Sequence, residues 1–106
     1  MNQFKFDKNT DNLFKAIVGL ENIKEAEKFF RDLCTVQEIA AMSERWEIVG
    51  MLEKGISYRK IAEELGSSTT TVGRVSQWLS NGEGGYRTAL NKQASHHNSS
   101  KSCRKS

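Results

Sequence analysis

Between Ser57 and Leu79 the apolar residues fall at helical spacing on either side of one glycine. Ile61, Ala62 and Leu65 precede Gly66, and Val72, Val75 and Leu79 follow it. Residues three and four apart share a helix face, so each run predicts one inward stripe. Ala62 is small enough for a second helix to cross close above the first, and Gly66 permits the tight turn between them. Ser57 is placed to cap the first helix and Ser67 or Ser68 the second, which Asn81 and Gly82 end. Two short helices on these terms form a helix-turn-helix over residues 57–81.

The outer face of the second helix is made of poor helix formers. Thr69, Thr70 and Thr71 lose rotamer freedom against the preceding turn, and Gly73 costs about 1 kcal/mol against alanine. Short hydroxylated side chains and a glycine let a backbone approach a flat, wet, charged surface. The major groove of DNA is such a surface. A recognition helix meets base edges there with its N-terminal residues, hydroxyls reach phosphates or bases, and a threonine methyl touches a thymine methyl. DNA contact is therefore expected from Ser67, Ser68, Thr69, Thr70, Thr71, Gly73, Arg74 and Gln77. Arg59, on the first helix, is placed for a backbone phosphate.

The rest of the chain also reads as helix. Its 106 residues make one domain at most, and the absence of proline favours uninterrupted helices. Leu13, Phe14, Ile17, Val18 and Leu20 form one stripe, and Ile23, Ala26, Phe29, Phe30 and Leu33 a second, with a bend between them near residues 19–22. Phe4 and Phe6 are expected to pack back on these helices or on a partner chain. Thr35 and Glu38 make a capping box for a helix carrying Ile39, Met42, Trp46, Val49 and Leu52, and Gly55 suits the left-handed position beyond it. After the flexible GEGG, Tyr86, Ala89 and Leu90 predict one short docking helix. The expected organisation is dimerisation helices over 1–34, a central helix over 35–56, the helix-turn-helix over 57–81, a short segment over 82–94 and a disordered basic tail over 95–106. The fold class is all-α.

The net charge of +3 is concentrated at the end of the chain. Lys92, Lys101, Arg104 and Lys105 stand there without an acid and add sequence-independent attraction to phosphate. No apolar run approaches the roughly 18–20 residues of a membrane span. MNQFKFDKNT lacks the charged-then-apolar order of a secretion signal, so a cytoplasmic protein without membrane contact is expected. Cys34 and Cys103 are expected to stay reduced, Cys34 as a buried thiol.

Nothing in the chain groups a nucleophile, a base and an orienting residue, and no glycine-rich phosphate loop follows a strand, so it is not expected to be an enzyme. Glu44, Glu47, Glu63 and Glu64 read as solvated helix faces. His96, His97 and Cys103 lack the fixed geometry of a metal site. No cofactor and no metal are expected.

The run TVQEIAAMSERWEIVGMLEKGISYRKIAEELGSSTTTVGRVSQWL, residues 35–79, resembles the Trp repressor family, and TTTVGRVSQWLSNGEGGY is most similar to its YerC/YecD branch. The resemblance spans about residues 10–90. It implies an intertwined homodimer, a near-palindromic operator and transcription regulation. It also implies a corepressor site whose threonine and two arginines correspond to Thr35, Arg45 and Arg74. Val75 and Trp78, however, stand where tryptophan-binding members carry glycine and serine. Trp78 is expected either to fill part of that space, with the Arg74 guanidinium stacked on its ring, or to serve as a plain core or dimer-contact aromatic. The expectation is a DNA-binding regulator that works without tryptophan; whether another small molecule binds stays open. An alternative is an interaction module that acts on the transcription machinery without reading an operator, because Arg59, Lys60 and Arg74 stand against Glu63 and Glu64 on the same surface.

Overall fold

Every helix but the last begins where a side chain satisfies an amide that a helix start leaves open. The structure, a computed structural model, describes the backbone of residues 6–104 and the side chains of residues 6–94. Phe4 and the side chains of His96, His97 and Cys103 lie outside the described residues. Six helices follow one another, with no strand among the described residues: α1 (Lys8–Val18), α2 (Ile23–Leu33), α3 (Val36–Glu53), α4 (Tyr58–Leu65), α5 (Thr69–Asn81) and α6 (Gly85–Arg104). The chain divides into two compact units, with the boundary after Ala40.

In the first unit the Asp7 carboxylate accepts the Thr10 amide at 2.9 Å, and α1 starts there, ahead of its apolar stripe. Asn22 does the same for α2 through the Glu25 amide, while Glu25 accepts the Glu21 amide in return. The predicted bend lies between these helices. Thr35 and Glu38 form the expected reciprocal box: the Thr35 hydroxyl accepts the Glu38 amide at 3.1 Å and Glu38 accepts the Thr35 amide at 2.8 Å. Phe6 meets Phe14 edge-on, and Phe29 meets Phe30 likewise. No residue of α1 or α2 is buried, and Cys34 is half-buried rather than buried.

The core belongs to the second unit. Ile48, Val49 and Met51 of α3, Ile61 of α4, and Val72 and Val75 of α5 are its buried residues. Trp46, Leu52, Ile56, Ala62, Leu65, Leu79, Tyr86 and Leu90 pack around them. Fully burying one such aliphatic side chain contributes about 1.5–3 kcal/mol. Of the stripe predicted for α3, Val49 is buried and Trp46 and Leu52 pack around the core, whereas Met42 is exposed; Ile48 and Met51 join the core from outside that stripe. A central helix that packs on more than one side has no single apolar stripe to read.

Gly66 ends α4 at φ +68°, the left-handed conformation expected of it. At the far end of the unit the Arg87 guanidinium donates to Glu53 at 3.0 Å and ties α6 to α3. This bond holds the Glu53 carboxyl below its ordinary range, so the tie is present at neutral pH and is lost as the carboxyl protonates on acidification. Helix α6 is longer than the short segment expected, and its backbone runs to Arg104, into the segment read as disordered. No glycine or proline follows Gly85 to interrupt it.

Two substitutions test this core. Ile61→Ala is expected to lower unfolding stability by about 2–5 kcal/mol, as methyl groups leave a closed cluster. Gly66→Ala places a Cβ in the left-handed region and is expected to remove about 1 kcal/mol. Urea denaturation followed by circular dichroism measures both.

Candidate nucleic-acid interface

The α4–α5 hairpin is closed on its inner side and open on its outer side. Inside, Ile61, Val72 and Val75 are fully buried. The Ser57 hydroxyl accepts the Lys60 amide at 3.2 Å to start α4. The Ser67 amide donates to the Ala62 carbonyl at 3.1 Å to close it. Ser68 then caps α5 by accepting the Thr71 amide at 3.1 Å. Across the hairpin the Tyr58 hydroxyl donates to Ser76 at 2.7 Å and fixes the start of α4 against the middle of α5. No local signal in the sequence announces that pair.

The open face carries Ser68, Thr69, Thr70, Arg74 and Gln77, all exposed. The side chains of Thr69, Thr70, Arg74 and Gln77 have no hydrogen-bond or ion-pair partner among the described residues. Gly73 lies between them. A methyl group at that position would sit 3.9 Å from the Tyr58 ring, an ordinary contact. The packing of the protein therefore does not require glycine there, although the helix would be steadier with alanine.

Two of the expected contact residues, Thr71 and Ser67, are used within the protein. Neighbours on a helix are separated by about 100°, so three consecutive threonines cannot share one face. Thr71 is half-buried, and its hydroxyl lies 3.1 Å from that of Ser68, inside the cap. The Ser67 hydroxyl points away from the open face and donates to the Glu44 carboxylate of α3. Glu44, expected on a solvated face, is half-buried by this contact. On α4, Lys60 pairs with Glu64 at 3.6 Å, which leaves Arg59 and Arg74 as the unpaired cations of the hairpin among the described residues.

A cleft of about 290 Å³ separates α3 from α5, lined by Glu44 and Arg45 on one side and by Thr71, Arg74, Val75 and Trp78 on the other. This is at the lower edge of the roughly 300–1,000 Å³ of small-molecule sites. Arg45 and Arg74, expected to share a ligand, do line it together. Thr35 belongs to the other unit, where its hydroxyl caps α3. Trp78 is 48% exposed and forms a wall of the cleft instead of a plug in it. The predicted stacking of Arg74 on its ring is absent among the described residues, and Trp78 also lines a second cleft together with Tyr86. No group of three or more potential metal ligands occurs among the described residues, and no helix there is long and apolar enough to cross a membrane.

Known proteins share the sequence and the fold of this chain. YerC of Bacillus subtilis (strain 168), itself uncharacterized, is 41% identical over 85 residues, which cover 80% of this chain and 82% of YerC. The crystal structure of a TrpR-like protein from Eubacterium eligens is 38% identical and superposes with a TM-score of 0.79, over 83% of this chain and 91% of that one. A relative of known structure from Staphylococcus aureus is 40% identical, with a TM-score of 0.78 over 83% of this chain and 88% of the other. The family model for the Trp repressor protein matches residues 8–94, from the start of α1 into α6 and across the whole hairpin, and the chain belongs to the Trp repressor family.

Proposed function

We propose that the chain is a sequence-specific DNA-binding transcription regulator that reads a near-palindromic operator as a homodimer, with α5 as the recognition helix. The observation that carries this reading is the open face of α5. Thr69, Thr70, Arg74 and Gln77 present unused donors and acceptors around a glycine that the fold itself does not need. Buried polar groups find partners within a protein; a row of free ones on a rigid helix suits an external polar partner. Ser68 contributes from the cap, and Arg59 supplies a phosphate contact from α4. Ser67 and Thr71 act from within, by fixing the turn and the first turn of α5.

The dimer is supported by the first unit. Val18 is 82% exposed and Ile23 is 77% exposed, and Phe14 and Leu33 are also uncovered. Apolar helix faces of this kind call for a partner surface. A two-fold dimer places two recognition helices at successive major grooves, so the half-sites lie about one helical turn, or a multiple of it, apart.

Regulation without tryptophan is supported by the cleft. Val75 and Trp78 line the cleft beside Arg45 and Arg74, and its volume of about 290 Å³ is small for a ligand site. The two guanidinium groups still offer an anion two unpaired cations, and a corepressor with a carboxylate or phosphate is compatible with them.

Selection from a random duplex library with the purified chain tests the reading. Enrichment of an inverted repeat without added amino acid is the expected outcome. Arg59→Ala is expected to weaken binding to all duplexes alike and to reduce the slope of log affinity against log salt by about 1, the mark of one lost phosphate contact. Binding with no salt dependence, or no enrichment, would instead favour the interaction-module reading, to which the low free charge of the hairpin also lends itself.

Titration of the selected duplex in the presence of tryptophan is expected to leave the affinity unchanged. Tightening by tenfold or more on addition of tryptophan would show that the cleft takes it after all.

A further inference from the structure

We infer that Glu44 is a positioning residue for DNA recognition: through Ser67 it locks the turn ahead of α5 to α3, so that the protein itself holds its reading helix in place. This rests on the DNA-binding reading above. Ser67 sits between the two helices of the hairpin and is used twice within the protein. Its amide closes α4 on the Ala62 carbonyl at 3.1 Å. Its hydroxyl donates to Glu44 Oε2, on a residue 23 positions earlier, in a half-buried setting. Ser68, the next residue, caps α5. Two adjacent serines thus do different things: one fixes the turn to α3 and the other starts the recognition helix.

The position of Glu44 on α3 explains what the tie adds. The buried residues of α3 are Ile48, Val49 and Met51. Glu44 stands one turn before Ile48, about 6 Å along the helix axis. The apolar core holds α5 at Val72 and Val75, whereas Glu44 holds the turn just ahead of Thr69 and Thr70. Among the described residues no other side-chain hydrogen bond joins α3 to the turn or to α5; the Tyr58–Ser76 bond joins α4 to α5, and the Arg87–Glu53 bond joins α6 to α3.

The carboxylate also has an alternative that it does not take. Glu44 lines the same cleft as Arg45 and Arg74, yet it forms an ion pair with neither among the described residues. It accepts from a neutral hydroxyl instead, and hydrogen bonds to ionised acceptors are the stronger class. A tie of this kind sets the direction of the N-terminal end of α5 without neutralising the cations beside it.

The test uses the full chain and the duplex enriched by the unaltered protein, with Glu44→Ala, Ser67→Ala, the double variant and Glu44→Gln. Amide hydrogen exchange over residues 66–72 is measured on the free protein. Affinity is measured for the selected duplex and for a random one. Glu44→Ala and Ser67→Ala are each expected to speed exchange in that segment and to weaken the selected duplex about tenfold, with the random duplex and the salt slope unchanged. The double variant is expected to be no worse than either single one, because both remove the same bond. Glu44→Gln, whose amide oxygen still accepts, is expected to recover most of the loss. Unchanged exchange in Glu44→Ala, additive losses in the double variant, equal weakening of both duplexes, or a Glu44→Gln variant as impaired as Glu44→Ala would each overturn the inference. If the unaltered chain enriches no duplex, the DNA-binding reading fails on its own. The role in recognition falls with it, and the exchange data separately decide whether the tie exists.

Discussion

The crossing of α4 and α5 over Ile61 determines where every candidate contact points. Ile61, Val72 and Val75 are fully buried together with Ile48 and Val49 of α3, so the hairpin cannot roll without opening the core. A helix rolled by one residue turns by about 100°, which would move Thr69 and Thr70 off the open face. The apolar residues thus act on function indirectly. They fix an angle, and the angle decides which hydroxyls and which guanidinium groups meet a partner.

Given that angle, the polar residues of the hairpin fall into two groups. Ser57, Ser68 and Thr71 satisfy helix starts, Ser67 and Tyr58 reach across to other helices, and Lys60 is paired with Glu64. Thr69, Thr70, Arg74, Gln77 and Arg59 remain unpaired among the described residues. The first group makes the surface rigid and the second makes it adhesive. Rigid presentation matters for a reader of base edges, since a side chain held in place loses less freedom on contact. On the proposed reading, the low free charge of the hairpin keeps its non-specific phosphate attraction weak, and selectivity would come from the face itself and from the two-fold repetition of the proposed dimer.

Much of this was legible in the sequence because its signals are local. The capping residues Thr35, Ser57 and Ser68 act within three residues of themselves, and Gly66 follows directly after the helix it ends. The inward stripe of the hairpin likewise follows from spacings of three and four. What the sequence hid depends on residues far apart. The Ser67–Glu44 bond spans 23 positions and the Tyr58–Ser76 bond spans 18, so no periodicity reveals them. Ile48 and Met51 escaped because α3 packs on more than one face. The length of α6 escaped because its sequence is polar and carries little amphipathic pattern, although nothing in it breaks a helix. Trp78 shows the limit of carrying a family position across: it lines the cleft beside Arg45 and Arg74, but it is 48% exposed and lines a second cleft as well.

Gly73 offers the most direct measurement, because the protein has room for alanine there and the proposed groove does not. Denaturation and operator affinity of Gly73→Ala should be measured side by side. A glycine kept for close approach predicts a variant that is more stable by about 0.5–1 kcal/mol and binds its selected duplex at least tenfold more weakly. A variant that is more stable and binds as tightly as the original chain would contradict the placement of α5 in the groove.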